Sequence, residues 1–279
     1  MDKRILRFPI LRLLTCFTLA AALMTSQTLA QPARNSPQAV ELKHDLIADA
    51  VVKRLQNRLI VAPKQLSDSG SVSIPRFFAS LKSLQWQGHD EPAAISFVPE
   101  QEHWRISWKE RPAGAERIVL RFDQPPLLAH ELKLVTASGD GSFWLPAYMA
   151  HTTGEKVRYE PQPHKNTVGY WVGAQDLARW NLQIDEPGDF NVAILQGCGQ
   201  GQGGSSAEIS LQLGQSAVSN LKFQVAETGH FQNFQWRHVG TVSIQHPGEH
   251  VLQIAPITIS RNALMDVRAV HLIRLPRAN

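Results

Sequence analysis

The feature that most constrains this 279-residue chain is its last third, residues 166–275, where short runs alternate apolar and polar residues. Successive side chains of a β-strand point to opposite faces, so a strand with one buried face alternates in this way. In residues 177–184 the even positions, from Ala178 to Ile184, are apolar and Arg179 between them is polar. The alternation recurs in residues 189–196, 208–213, 221–225, 242–244, 252–254 and 265–273. Turn residues separate these runs, which predicts a two-sheet sandwich or jelly roll.

Several short motifs follow one another in the same region. In chain order they are Gly169-Tyr170-Trp171, the D-x-x-x-W of 176–180, the P-G-D-F-x-V of 187–192, the Gly-rich residues 197–205, Thr228-Gly229-His230-Phe231, the His-Pro-Gly turn at 246–248, and Leu264-Met265-Asp266-Val267-Arg268. This ordered set resembles galactose-binding-like carbohydrate-binding modules. The variant it resembles most is the one appended to secreted bacterial α-L-fucosidases and sulfatases, with families six and thirty-five more distant. The resemblance covers residues 141–275 and implies a jelly-roll sandwich that binds a glycan.

The resemblance also implies a set of ligand-binding residues at the loop end of the sandwich. Proteins bind sugars in water mainly by stacking apolar sugar faces on exposed aromatic rings, with a few polar groups fixing the hydroxyls. Tyr170, Trp171 and Phe231 match the positions of the stacking rings. Asn262 matches a polar ligand position, and His230 could hydrogen-bond a hydroxyl. The alternative for Trp171 and Phe231 is a packing role at the rim of the sandwich.

Other aromatic residues carry weaker signals. Trp180 lies on the apolar side of its strand, which predicts a structural role. The pattern around Phe234 and Trp236 leaves the roles of both residues open.

Many modules of the resembled type hold a structural calcium ion through carboxylate and carbonyl oxygens, which suit a hard cation. Residues 145–150 of this chain lack the glutamate that such modules often carry in their first strand. Glu160 and Asp266 remain as the candidate calcium ligands, and the alternative is that they are surface or rim carboxylates.

The first 30 residues have the pattern of a secretory signal peptide. Basic residues precede an apolar stretch at residues 13–24, and Thr28-Leu29-Ala30 forms a small-residue cleavage site. The apolar stretch is too short for a membrane span, which needs roughly 20 residues. We therefore expect no membrane span, and a secreted or periplasmic location.

The charge balance and the cysteine content argue against a nucleic-acid-binding protein and against a sulfatase. The chain has 28 basic and 24 acidic residues, and removal of residues 1–30 takes away four basic residues and Asp2, leaving 24 against 23. Phosphate binding needs a clustered basic face, so nucleic acid is not an expected partner. Cys198 is the one cysteine that remains, and its Gly-rich surroundings match neither a phosphate-binding loop nor a sulfatase motif.

The mature chain divides into three predicted parts. Residues 31–82 comprise a polar tail and an amphipathic helix at 40–60, since Leu42, Leu46, Val51, Leu55 and Leu59 recur at helical spacing. Residues 83–140 form a β-region of unknown family, which could stand alone or extend the sheets of the sandwich. Residues 141–279 form the carbohydrate-binding-like sandwich. The predicted fold class is therefore mainly β, with a short N-terminal helix.

Three functions fit these observations. The preferred hypothesis is a secreted, non-catalytic protein that binds a polysaccharide or other glycan, because the sequence offers loop aromatics and no convincing catalytic set. The alternative is a structural or adaptor subunit of an extracellular assembly that docks a protein partner through the 40–60 helix. A glycan-active hydrolase or lyase is the third, and its candidate groups are Glu102, His103, Asp123 and His130.

Overall fold

Strands make up nearly all the regular structure in the computed structural model of the chain. The structure describes residues 37–89 and 95–276. The predicted signal peptide, residues 1–30, lies outside these ranges. Within them, the helical residues are two single 3-10 turns, Ala129–Glu131 and Ala147–Met149. No helix in the described part of the chain is long and apolar enough to cross a membrane.

The N-terminal half contains eight strands in two antiparallel sheets. They are β1 (Val40–Leu42), β2 (Ala50–Leu55), β3 (Arg58–Pro63), β4 (Gly70–Pro75), β5 (Leu81–Trp86), β6 (Ile95–Pro99), β7 (His103–Trp108) and β8 (Ile118–Phe122). One sheet has the order β1-β2-β3-β8-β5 and the other the order β4-β7-β6. Aromatic side chains pack between the sheets: Trp104 on β7 stacks on Phe122 of β8 at a ring-centroid distance of 6.2 Å, and Phe77, which precedes residue 82, lies 5.9 Å from Trp104. Strands from both sides of the predicted boundary at residue 82 therefore share one core.

The predicted helix at residues 40–60 is wrong, because this segment forms β1, β2 and the start of β3. Leu55 pairs with Arg58 across a two-residue turn. Gln56 in that turn has φ of 54°, the left-handed conformation that tight hairpin turns require. Val52 and Leu59 are fully buried. The leucine spacing also fits a helical period. Strands are favoured because both arms of the hairpin bury apolar side chains and because the segment is rich in β-branched residues.

The C-terminal half contains eleven strands in two antiparallel sheets. They are β9 (Phe143–Pro146), β10 (His151–Thr153), β11 (Arg158–Glu160), β12 (Thr167–Gly169), β13 (Leu177–Ile184), β14 (Gly188–Gly197), β15 (Ser206–Leu213), β16 (Ser216–Gln224), β17 (Gln235–Ile244), β18 (Gly248–Thr258) and β19 (Asp266–Arg274). One sheet has the order β10-β13-β18-β15-β16, and the other the order β11-β12-β19-β14-β17 with β9 paired to β19. From Ala178 to Ile184 the even-numbered side chains of β13 are all fully buried. The predicted mainly β fold and C-terminal β-sandwich are confirmed.

Residues 83–140 pair with the N-terminal strands and do not extend the sheets of the C-terminal sandwich. Within the described ranges, the exception is one parallel bridge between Val135 and Leu182. The two sandwiches are joined instead by side chains. The buried guanidinium of Arg76 donates to the Ala150 carbonyl and to Thr152 Oγ1, and Gln101 Nε2 donates to two carbonyls of the 154–157 loop. The described residues belong to one compact unit that begins at Pro37.

Candidate functional site

A depression of about 230 Å³ opens at one rim of the C-terminal sandwich, where strands of one sheet end and four loops meet. We call it the rim depression. It is lined by Glu160, Lys165, Tyr170, Val172, Phe231, Gln232, Ala263 and Asp266. Four residues predicted from sequence, two aromatic and two acidic, therefore lie together at one place.

Tyr170 reaches the rim because the chain turns sharply after β12. Its φ of 61° lies in the left-handed region, which costs an ordinary residue roughly 1–2 kcal/mol. The turn breaks the alternation of the strand, so that Tyr170 is 41% exposed. One face of its ring is covered by Arg158, whose Cζ lies 3.4 Å from the ring centroid. The Lys165 ammonium lies 5.7 Å from the same centroid, so the exposed part of the ring is flanked by two cations.

The same turn directs Trp171 into the interior. The Trp171 side chain is fully buried, and its Nε1 donates to the Val168 carbonyl at 3.1 Å. Its own carbonyl accepts a hydrogen bond from the Leu264 amide at 2.9 Å. A ring enclosed in this way cannot stack on a sugar, so Trp171 supports the rim from beneath and is not part of the ligand site. Trp180 is likewise buried, as predicted, and its Nε1 donates to the Pro146 carbonyl.

Phe231 is positioned by the Gly-rich stretch that precedes β15. A Cβ atom at Gly199 would lie 2.8 Å from the Phe231 ring, and one at Gly197 would lie within the Phe231 backbone. The two segments are also tied by hydrogen bonds, since Thr228 Oγ1 accepts from the Cys198 amide at 2.8 Å. The glycines therefore leave the space that the loop containing Phe231 needs to pack closely against this segment. Buried Cys198 lies beneath that loop, and burial raises its pKa to about 11, which disfavours a reactive thiolate.

His230 and Asn262, the two remaining predicted ligand residues, flank the rim depression without lining it. Both are exposed. The His230 Nδ1 accepts a hydrogen bond from the Gln232 amide, so this ring atom stabilises its own turn. The backbone N–H of Asn262 donates to Gln202 Oε1, and the next residue, Ala263, lines the rim depression. Neither side chain is placed by the structure to hold a ligand in the depression.

Two carboxyl groups form the floor of the rim depression. Glu160 ends β11 and Asp266 begins β19, and both side chains converge on Gly169 in the strand between them. A Cβ atom at Gly169 would lie 2.8 Å from Asp266 Oδ1 and 3.0 Å from Glu160 Oε2. The Lys165 ammonium lies 2.5 Å from Glu160 Oε1. Burial first, and the nearby charge of Glu160 second, raise the pKa of Asp266 to about 8.

This arrangement does not fit the calcium ion that the resemblance implies. Calcium takes six to eight oxygen ligands, usually with several carboxylates among them. Across residues 37–89 and 95–276, no group of three His, Cys, Asp or Glu residues is placed to hold a metal. The Lys165 ammonium already neutralises Glu160 where a cation would sit. Glu160 and Asp266 are therefore explained as a buried acidic pair balanced by a lysine.

Lys165, which lines the rim depression, and Arg158, which covers the Tyr170 ring, are the residues of the candidate site that the sequence did not indicate. Lys165 lies in the loop between β11 and β12, and this loop is held by Arg268, which donates to the carbonyls of His164 and Lys165. Arg158 and Glu160 share one face of β11, because they are two residues apart in a strand. This two-residue spacing is the one sequence feature that could have linked Arg158 to Glu160. Since β11 has three residues, it is too short for an alternating pattern to show which side chains share a face.

The residues named for a hydrolase or lyase do not form one site. Glu102 and His103 line a groove of about 530 Å³ beside β6 and β7, together with Glu155. Asp123 is instead paired with Lys82 at 3.2 Å. His130 lies in the 3-10 turn at Ala129–Glu131 and does not line this groove.

The fold and the site define a mainly β protein whose C-terminal sandwich carries a small aromatic and charged depression at its rim. No protein-family model and no curated protein matches the chain. Among solved structures, the chain is similar to the α-L-fucosidase from Vibrio sp. strain EJY3, at 12% identity and a TM-score of 0.33 over 85% of this chain and 42% of the fucosidase. The chain thus spans less than half the length of that enzyme.

Isolated carbohydrate-binding modules match the chain over about half its length. The CBM35 module from Cellvibrio japonicus is similar at 12% identity and a TM-score of 0.37, over 50% of this chain and 97% of the module. The C-terminal CBM6 module of a marine laminarinase from Zobellia galactanivorans is similar at 13% identity and a TM-score of 0.32, over 48% of this chain and 99% of the module. The neighbours thus include modules of the two families that the sequence motifs resemble.

Proposed function

We propose that the protein is a secreted, non-catalytic glycan-binding protein and that the rim depression is its ligand site. The observation that supports this proposal most directly is the meeting of Tyr170 and Phe231, far apart in sequence, at one depression with charged groups between them. An aromatic wall and a few fixed polar groups are the combination by which proteins hold sugars.

The polar groups of the depression match the needs of a sugar ring. Lys165 and the Gln232 side chain carry N–H donors, while Glu160 is an acceptor held in place by its ion pair with Lys165. Asp266, with its pKa raised to about 8, keeps its proton near neutral pH and donates through its carboxyl O–H. The depression is smaller than the roughly 300–1,000 Å³ of sites for drug-sized ligands. It therefore takes one sugar ring, such as a chain end or a branch.

Secretion is part of the proposal and depends on the sequence of residues 1–30. N-terminal sequencing of protein recovered from the culture medium or periplasm of an expressing bacterium tests it. We expect the mature chain to begin at Gln31. A full-length chain retained in the cytoplasm would contradict the secretory role.

The ligand site is tested by replacing Tyr170 with glycine. A hit is first obtained on a broad glycan array, and its dissociation constant is measured by calorimetry. Glycine adopts a φ of 61° readily, so Tyr170→Gly removes the ring and relieves the strained backbone. We expect the stability to change by no more than about 1 kcal/mol and the affinity to fall about tenfold or more.

Tyr170→Phe is the matched control, because it keeps the ring and should retain most of the affinity. Phe231→Ala should weaken binding as Tyr170→Gly does. Full affinity in both Tyr170→Gly and Phe231→Ala would place the ligand elsewhere. Absence of binding to every glycan on the array would refute glycan binding, and release of reducing ends from a bound glycan would refute the non-catalytic part.

The adaptor hypothesis depended on a docking helix at residues 40–60. Since β1, β2 and β3 occupy this segment, the predicted helix-mediated protein partner is ruled out in that form. No other observation favours an adaptor role over glycan binding.

A further inference from the structure

Two of the seven tryptophans are exposed, and they lie side by side. Trp144 is 49% exposed and Trp236 is 42% exposed, whereas the other five are buried. Their ring centroids are 5.7 Å apart, although they lie in different halves of the sandwich sequence. The imidazole of His271 completes the group, at 5.5 Å from Trp144 and 6.4 Å from Trp236. Burying a tryptophan is strongly favourable, so two exposed ones in contact need a reason.

The register of the sheet explains how the three rings meet. Trp144 on β9 pairs directly with His271 on β19, and His271 pairs with Ala193 on β14. Trp236 on β17 pairs with Leu195, two residues further along β14. Ala193 alternates with the core residues Val192 and Ile194 and so faces outward, yet it is only 2% exposed, which shows that larger neighbouring side chains cover it. The group therefore lies on the outer face of the sheet and not in the rim depression.

We propose that Trp144, Trp236 and His271 form a second carbohydrate-binding surface, which takes the apolar face of a pyranose ring in an extended glycan chain. The proposal is independent of the rim depression, since the two sites share no residue. We call these three residues the sheet-face cluster.

The geometry sets how a sugar would bind. The two indole planes meet at 58°, and the rings are already in contact, so no sugar fits between them. A sugar ring would stack on an outward indole face. Both indoles are exposed, and each carries an N–H group that can donate to a sugar hydroxyl. Beside the cluster, Asn191 Nδ2 and His238 Nδ1 are 3.0 Å apart and supply further polar groups.

The size of the cluster favours a glycan over a protein. An aromatic side chain buries roughly 150–250 Å² at most, so two indoles about half exposed offer on the order of 200 Å². A stable protein interface needs about 800 Å² on each partner. A second copy of this chain would therefore find too little apolar surface here, whereas a sugar ring in a chain is covered by one or two aromatic rings.

The test uses a background in which the rim depression is disabled. Tryptophan fluorescence of the Tyr170→Gly protein is titrated with cellohexaose, mannohexaose and xylohexaose. The β-1,4-linked rings of these oligosaccharides expose faces of C–H groups that can stack on an indole. We expect a saturable change with at least one of them. Trp144→Ala and Trp236→Ala, each added to this background, should weaken binding of that oligosaccharide about tenfold in calorimetry.

Ile257→Ala is the matched control, because Ile257 is 46% exposed on a strand of the other sheet and should bind as the background does. Thermal melts check that each variant is folded. No saturable response to any of the three oligosaccharides would overturn the proposal, and so would unchanged affinity in both tryptophan variants. Sedimentation velocity decides the remaining alternative: a dimer that Trp144→Ala converts to a monomer would assign the sheet-face cluster to self-association.

Discussion

At the scale of single residues, the least ordinary group is the Asp266 carboxyl. It is 6% exposed and lies beside Gly169, across that strand from Glu160, with Lys165 and Arg268 as the nearby cations. Burial disfavours its charged form, and the charge of Glu160 adds to the effect. The Asp266 pKa is therefore raised from 3.8 to about 8.

This raised pKa predicts a pH dependence of stability. In the unfolded chain the Asp266 carboxyl loses its proton near pH 4, whereas in the folded protein it keeps the proton until about pH 8. Its contribution to stability is thus full below about pH 4 and is lost as pH rises through 8. Urea unfolding between pH 5 and 8.5 should show a downward slope of up to about 1.4 kcal/mol per pH unit from this group.

Asp266→Asn is the matching variant, because an amide mimics the protonated carboxyl in size and carries no charge. It should flatten the slope and make the variant more stable than the wild type above pH 8. If the two proteins gave parallel curves over the whole range, Asp266 would not be the titrating group.

Among elements, the turn after β12 is tied to a neighbouring loop by one buried side chain, Asp176. Asp176 Oδ2 accepts hydrogen bonds from the amides of Val172 and Gly173 at 2.8 and 2.9 Å, and its Oδ1 accepts from the Glu155 amide. One carboxylate thus ties the rim segment that follows Tyr170 to the loop before β11. Hydrogen bonds to a charged acceptor are worth about 1.5–3 kcal/mol each.

Removing that carboxylate should loosen the rim. We expect Asp176→Ala to lower the free energy of unfolding by about 3 kcal/mol, because four amides lose their acceptor, one of them at the longer distance of 3.4 Å. Asp176→Asn keeps one acceptor oxygen and should cost less. Urea unfolding measures both changes. A loss below about 1 kcal/mol in Asp176→Ala would show that water replaces the carboxylate and that the turn is held by other contacts.

At the scale of the whole molecule, Arg76 joins the two sandwiches. Its guanidinium is buried, bonds to the Ala150 carbonyl, and lies over the rings of Phe78 and Tyr159 at 4.3 and 5.5 Å. Burial lowers its pKa to about 10, so it stays charged at neutral pH. The planar guanidinium suits this position, since it donates in several directions and stacks on aromatic rings at once.

We therefore expect the two sandwiches to unfold together. Calorimetry of the wild type should show one transition. Arg76→Lys keeps the charge but loses the planar donor set, and should destabilise the protein by about 3 kcal/mol. Arg105→Lys, at an exposed arginine on β7, is the control and should have little effect. Two separate transitions in the wild type would show that the join contributes little.

Much of the C-terminal sandwich could be predicted from the chain because its strands have one buried face. Ala178 and Trp180 alternate with polar neighbours, and that pattern survives in any sheet that buries the same face. In the N-terminal half the leucine spacing of residues 40–60 fitted a helix equally well. The segment forms strands because β3 pairs with β8 and because the sheet packs against the second sheet. Both contacts involve residues distant in sequence, on which strand stability depends.

The class of fold and the buried strand faces of the C-terminal sandwich could therefore be read from the sequence. The sequence also named Tyr170 and Phe231 as ligand-binding residues, together with Trp171, His230 and Asn262, and named Glu160 and Asp266 as candidate calcium ligands. The tertiary structure alone decided that Tyr170 turns outward while Trp171 turns inward, because that choice depends on one left-handed backbone conformation. It also decided that Lys165 balances the acidic pair and that the two exposed tryptophans meet. Such contacts join residues distant in sequence, and no local pattern records them.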